Sequence, residues 1–260
     1  MSQSAPATHF NLFLLRNFLD AETCVRLRTE LNEAPTTQAP VYIQGTEGLV
    51  HEDVRKTTSL HPAKETFSEI HARLLEQQSA LEQHFGETLH DCEPPQFLRY
   101  KEGDFFVRHQ DGNTRQLDFD HLRVRRISIV VFLNDHSAQP REDCFSGGVL
   151  NFYDPADQTI TFGLEGETGL LVAFTAETFH EVLPVTSGER FTIISWFRYL
   201  PAGDRQLFLL TGPPISITLR AFPRNRNPFS LSQRTRPLWL SLEIMRASVP
   251  QHINLCAIKA

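Results

Sequence analysis

The chain reads as a mainly β protein with helices at its N-terminal end. Three observations predict this: apolar residues recurring at threes and fours before position 85, a change to short β-branched and aromatic runs after Pro94-Pro95, and turn residues between those runs. At 260 residues, with 40% hydrophobic and 22% charged side chains, the chain is long enough for one sizeable core. That composition excludes a fibre, a collagen and a wholly disordered protein.

The elements follow in order. Asp20 is placed to N-cap a first helix of about 20–32, with Val25, Leu27 and Leu31 at roughly helical spacing. Residues 34–61 carry Pro35, Pro40, Gly45 and Gly48 among polar residues and read as a long loop or an irregular strand pair. From Pro62 to about His84, the positions of Phe67, Ile70, Leu74, Leu75 and Leu81 predict one amphipathic helix that ends at Gly86. Strands are then expected at 97–100, 105–109, 127–133, 149–153, 159–162, 170–174, 182–185 and 191–199. With no helices between them, they predict a two-sheet sandwich or a barrel. Residues 201–260 depart in style, with seven prolines, seven arginines and apolar clusters of no clear period, and read as a separate tail.

Charge is unevenly spread. Residues 1–200 hold 17 Lys+Arg against 29 Asp+Glu, a balance of −12, while residues 201–260 hold 8 against 2, a balance of +6. An acidic body argues against a nucleic-acid partner, because that affinity comes largely from cationic contacts to phosphate. Cys24, Cys92, Cys144 and Cys256 form no CxxC pair and suit neither a structural zinc site nor a dense disulfide framework, which points to a reducing, cytoplasmic home. The first twenty residues lack the basic start of a secretory signal, and no stretch approaches the roughly 20 apolar residues of a transmembrane segment.

The chemistry-bearing pattern is His109-Gln110-Asp111, whose two ligand-type side chains, two residues apart, project from one face of a strand. Alone it means little: with 11 histidines and 31 acids, about 1.3 such matches arise by chance, and His51-Glu52-Asp53 is a second. Context separates the two, since His109 ends an expected strand and His180 opens another. Two histidines and one carboxylate can occupy one face of an octahedral metal and leave the other positions open, the arrangement of non-haem Fe(II) oxygenases. A dicarboxylate co-substrate at such a site needs a cation for its far carboxylate, and Arg190 is the candidate. His180 and Arg190 are expected to flank a hairpin turn around 186–189, where a bulge or loop register must bring them to one interior. Gly147-Gly148, ahead of a strand, reads as a pair that permits close backbone approach.

Four ordered runs, FLRYKEGDFFVRHQD, RRISIVVFLN, GGVLNFYDP and GLLVAFTAETFHEVLPVTSGERFTIISWF, resemble the prolyl 4-hydroxylase branch of the Fe(II)/2-oxoglutarate dioxygenases, including the oxygen-sensing prolyl hydroxylases and their bacterial relatives. The likeness spans about residues 95–199. It implies a double-stranded β-helix (jelly roll) core in which His109, Asp111 and His180 bind Fe(II) and Arg190 holds the C5 carboxylate of 2-oxoglutarate. Tyr100 matches a tyrosine that contacts the co-substrate, and Trp196 a tryptophan lining the site. Phe106 and Phe132 stand where members of the family carry tyrosines. A phenyl ring donates no hydrogen bond, so Ser128 or Thr192 is the candidate to compensate at the C5 carboxylate. Ile129, Val131, Val149, Leu171 and Ile194 are expected to wall a dry cavity, and the charged stretch 112–125 resembles the family's substrate-covering loop.

The implied organisation is a helical support region at 1–94, a dioxygenase core at 95–200 and a basic, Pro/Arg-rich tail at 201–260. The implied activity is hydroxylation of a substrate C–H bond with O2, most often a prolyl residue of a protein or peptide, coupled to decarboxylation of 2-oxoglutarate to succinate. Ascorbate (vitamin C) is the expected reductant. The alternatives are hydroxylation of a small molecule or free amino acid, and a non-catalytic jelly-roll binding module. The intact set of His109, Asp111, His180 and Arg190 argues against the last.

Overall fold

The computed structural model of the protein describes residues 10–39, 41–43, 46–49, 52–112 and 120–199. The tail at 201–260 and most of the stretch after Gly112 therefore lie outside the described residues. The chain opens with β1 (Phe13–Leu15), α1 (Ala21–Glu33), β2 (Thr36–Gln38), β3 (Val41–Ile43), β4 (Thr46–Leu49), β5 (Arg55–Lys56) and β6 (Thr58–Leu60). The helices α2 (Lys64–Leu75) and α3 (Gln78–Phe85) follow, then β7 (Asp91–Cys92), β8 (Gln96–Tyr100) and β9 (Phe105–His109). After α4 (Asp120–Arg123) come β10 (Arg125–Phe132), β11 (Phe145–Gly147), β12 (Leu150–Tyr153) and β13 (Thr161–Leu164). The last strands are β14 (Leu171–Thr175), β15 (His180–Val182), β16 (Val185–Gly188) and β17 (Arg190–Arg198).

The first helix starts where Asp20 predicts, with the Thr23 main-chain N–H donating to Asp20 Oδ1 at 2.7 Å. The helix expected over 62–84 is two. At the break the Gln77 N–H bonds to the Leu74 carbonyl, three residues back, a tighter turn that needs no proline or glycine. Ile70, Leu74 and Leu81 still reach one core from both helices.

Of the two readings of residues 34–61, the described residues bear out strand pairing, one pair of it irregular, and extend it into both sheets. Strand β2 pairs with β6 and β6 with β8, which extends the larger sheet, while β5 pairs with β9 in the smaller one. The strands β3 and β4 pair with each other. The side chains of β2 are all exposed and β5 has two residues, so neither carries a readable alternation. The strand expected at 182–185 splits at Pro184, which has no N–H for a ladder: β15 stays in the smaller sheet and β16 pairs with β11.

The larger sheet runs β1-β14-β10-β17-β8-β6-β2, with β7 also on β17, and the smaller runs β13-β12-β15-β9-β5. Their strand pairings are antiparallel. This is a mainly β jelly roll with helices packed outside it. Period-two alternation gives β10 and β17 two separate duties. Ile127, Ile129, Val131, Ile193 and Phe197 face the helices and join Leu27, Leu31, Ile70 and Leu74 in an outer core. Val130, Phe132 and the partly buried Ile194 face inward, with Phe152, Val172 and Phe174, in an inner core between the sheets.

The expected wall of the cavity is thereby corrected by one residue. Ile129, Val131 and Leu171 belong to the helix-facing core, and of the five residues named above only Ile194 packs on the inner one. A strand buried on both faces is apolar at every position, so its sequence does not say which parity points inward. No helix among the described residues is long and apolar enough to cross a membrane.

Leu31 is fully buried in the outer core and Val25, on the same helix, is 52% exposed. Leu31→Ala should cost about 2–5 kcal/mol of unfolding free energy in urea titrations, whereas Val25→Ala should stay within about 0.5 kcal/mol of the wild type.

Candidate metal and co-substrate site

His109 is the last residue of β9 and His180 the first of β15, and the two strands pair His180 directly with His109. Their rings stand 4.2 Å apart between centroids. Asp111 follows β9 by two residues and reaches back between them: His109 Nε2 lies 3.5 Å from Asp111 Oδ1, and His180 Nε2 lies 3.5 Å from Asp111 Oδ2. One ligand atom from each of the three side chains falls within 4.8 Å of the others, a spacing a single ion can bridge.

Main-chain contacts select the ring tautomers. His109 Nδ1 lies 2.8 Å from the Val107 carbonyl and His180 Nδ1 2.9 Å from the Thr178 carbonyl. A carbonyl only accepts, so each Nδ1 carries the proton and each Nε2 presents its lone pair toward Asp111. Burial, then the charge of His109, pushes His180 down to about 4 despite the opposing carboxylate. Burial alone would raise the Asp111 carboxyl, but His180 and His109 outweigh it and hold it well below the ordinary range. At neutral pH His180 is thus a neutral imidazole beside an ionised Asp111, with His109 Nε2 facing the same carboxylate. This donor set fits a divalent metal with open coordination positions.

Arg190 starts β17 in the larger sheet, and its side chain points to the inner core at 1% exposure. The expected single hairpin joining His180 to Arg190 is not formed. The chain passes from the smaller sheet through β16 to the larger one, so the two residues reach one interior from different sheets. Thr192 accepts from Arg190 Nη1 at 3.3 Å, and the rings of Tyr100 and Phe132 each lie 5.0 Å from the guanidinium carbon. Arg190 Nε is buried with no partner. Burial pushes the guanidinium down to about 10, which leaves it charged at neutral pH. A buried cation with a free donor fits an anionic ligand such as a carboxylate.

Tyr100 is buried opposite Arg190 in the β8–β17 register, and Trp196 is buried on β17 opposite Ser128 of β10. Ser128 departs from its expected place. Its hydroxyl donates to Asp111 Oδ2 at 2.7 Å, six residues along β17 from Arg190 in register, so only Thr192 of the two candidates contacts Arg190. Phe106, noted in the sequence only for its missing hydroxyl, stacks flat on the His109 ring with centroids 3.5 Å apart. Sequence reasoning missed Glu93 and Arg125, which meet near Asp111; the arginine pair opening β10 was their only signal. Gly147 and Gly148 both have positive φ, and the close approach is real, since a Cβ at Gly147 would collide with the Pro184 carbonyl oxygen.

The sequence model of the 2OG-Fe(II) oxygenase superfamily matches residues 95–198. That segment is similar to the 2OG-Fe(II) oxygenases over the whole span of the two-sheet core strands β8 to β17. A PKHD-type hydroxylase of Cupriavidus pinatubonensis is 34% identical over 121 residues, 45% of this chain and 48% of that protein. One of Paracoccus denitrificans is 33% identical over 48% of this chain and 51% of its own. The chain spans about half the length of the curated relatives it matches. Among solved structures, a prolyl-4-hydroxylase of Pseudomonas putida aligns with TM-score 0.55 and 27% identity, over 74% of this chain and 94% of its own. A Trichoplax adhaerens prolyl hydroxylase, solved with a hypoxia-inducible-factor peptide, shares the fold at TM-score 0.55 and 16% identity, over 72% and 83%. Fe(II) and 2-oxoglutarate are the cofactors of this oxygenase family, and the three donors and Arg190 suit them.

At Gly148, φ is +58°, and a Cβ would lie 2.9 Å from Val185 Cγ2 and 3.0 Å from Arg190 Cδ. Gly148→Ala should therefore cost about 1–3 kcal/mol in chemical denaturation and should displace Arg190, read as weaker binding of a dicarboxylate in calorimetry.

Proposed function

We propose that the protein is a dioxygenase that uses Fe(II), 2-oxoglutarate and O2 to hydroxylate a C–H bond, with a prolyl residue of a protein or peptide as its target. One observation carries this reading: two imidazole lone pairs and a carboxylate converge in the interior into which a buried, incompletely paired guanidinium also points. Under this proposal His109, Asp111 and His180 hold the iron, and Arg190 with Thr192 holds the C5 carboxylate. Tyr100 lines the interior beside Arg190, Trp196 lines it at the Asp111 end against Arg125, and Ser128 steadies Asp111.

When bound, iron and 2-oxoglutarate supply the oxidising chemistry, with one atom of O2 going to succinate and the other to the substrate. The chain's own residues prepare the place. The main-chain bonds to both Nδ1 atoms keep the imidazoles from turning away. Val130, Phe132, Val172 and Phe174 keep the interior apolar, which strengthens the pull of Arg190 on an anion.

The likeness to the P. putida prolyl-4-hydroxylase supports a prolyl target. The acidic body makes nucleic acid the wrong partner. The domain division follows the same reading, with 95–200 as the catalytic core, 1–94 as support that lends edge strands as well as helices, and 201–260 as an appended basic segment. Ascorbate is the proposed reductant, and the cysteine pattern supports a cytoplasmic setting.

Anaerobic titration of the protein with Fe(II) and 2-oxoglutarate should produce a visible charge-transfer band. His180→Ala should abolish it. Arg190→Ala should weaken 2-oxoglutarate roughly 10–100-fold, the loss of one or two charge-assisted hydrogen bonds. A folded wild-type protein without the band would overturn the proposal in favour of a binding module. For the target, proline-containing peptides incubated with Fe(II), 2-oxoglutarate and O2 should gain one oxygen by mass spectrometry, in step with succinate. Turnover of free amino acids alone would move the assignment to a small-molecule hydroxylase.

A further inference from the structure

Of the three donors, Asp111 is the one outside a strand. His109 and His180 are laddered to each other, whereas Asp111 lies beyond the end of β9 and must be held by other means. Its main-chain N–H and that of Gly112 both donate to the Ala176 carbonyl, at 2.9 and 3.1 Å. Its own carbonyl accepts from Arg125 Nη1 at 3.2 Å. Arg125 is in turn fixed on every side. Its Nε and Nη2 donate to the two oxygens of Glu93 at 2.7 Å each, and its guanidinium lies 3.6 Å from the centre of the Trp196 ring.

Glu93 is tied to the strand that carries Trp196. Its N–H donates to the Trp196 carbonyl at 2.8 Å, and its carbonyl accepts from Ser195 Oγ at 2.6 Å. The turn after Asp111 closes against the same arginine, since a Cβ at Gly112 would collide with the Leu122 carbonyl and lie 2.6 Å from Arg125 Cβ. A continuous path thus runs from β17 through Glu93 and Arg125 to the Asp111 peptide.

We propose that Arg125, braced by Glu93 and Trp196, is a positioning residue that fixes the main chain of the carboxylate donor, while the Ser128 hydroxyl occupies Asp111 Oδ2 and directs Oδ1 to the metal. This rests on the reading of His109, Asp111 and His180 as metal donors. The role calls for arginine: one planar group must fork onto a carboxylate, donate sideways to a carbonyl and lie flat on an indole. Lysine keeps the charge beside Glu93 but cannot make all three contacts.

Co(II) alone is the probe, because its visible ligand-field bands report coordination geometry without turnover. Wild-type protein is compared with Arg125→Lys, Arg125→Ala and Ser128→Ala. Arg26→Lys serves as a control, since Arg26 on α1 pairs with both oxygens of Glu69 on α2, in the helical layer. Arg125→Lys should retain the wild-type near-ultraviolet circular dichroism yet bind Co(II) about 10-fold more weakly or worse, with shifted bands. Ser128→Ala should shift the bands in the same way, and Arg26→Lys should match the wild type. Arg125→Lys and Ser128→Ala with wild-type Kd and spectrum would overturn the inference, whether or not Arg125→Ala folds. Wild-type protein that fails to bind Co(II) would instead sink the metal-donor reading, and this inference with it.

Discussion

A guanidinium at 1% exposure is costly to keep charged away from water, and Arg190 has few groups to offset that cost. It has one hydroxyl, two aromatic faces within 5.0 Å and an Nε with no partner. An unmet buried donor of this kind suits an anionic ligand. Gly148 shows how closely the wall is drawn around it, with no room for even a methyl group beside the Arg190 side chain.

The same strands that hold Arg190 also hold the molecule together. On β17, Phe191, Ile193 and Phe197 are buried in the outer core against the helices, while Arg190, Thr192 and Trp196 face the inner one. Stability is concentrated on one face and chemistry on the other. An error of one residue in parity exchanges them, which is why the expected wall residues Ile129, Val131 and Leu171 sit under the helices. Placing reactive groups on strands anchored from behind gives them a fixed geometry that loops would not supply.

The metal-type donors illustrate the same division between laddered and loop positions. His109 and His180 inherit their placement from strand pairing, and their tautomers from carbonyls two residues upstream in each case. Asp111 has no ladder, and its position depends on side chains from β10 and from the segment before β8. Ser128 is the clearest example of a residue whose type was legible and whose partner was not. Its place on a strand was apparent from the sequence, but the contact with Asp111 depends on which face of β10 turns inward and on where the chain turns at Gly112.

By itself the sequence determined that helices precede a strand-rich core, the N-cap at Asp20, and the choice of His109, Asp111, His180 and Arg190 as candidates, because spacing, turn residues and ordered motifs are local properties of a chain. It could not determine that residues 34–61 complete two sheets, that Pro184 divides one expected strand between two partners, or which face of β10 looks inward. Those outcomes depend on long-range pairing, where short or doubly buried strands leave no periodic trace. Only the tertiary structure decided that Glu93, some thirty residues from Arg125, meets it over Trp196 beside Asp111. Such an encounter arises from packing the segment between β7 and β8 against β10 and β17, and no local pattern encodes it.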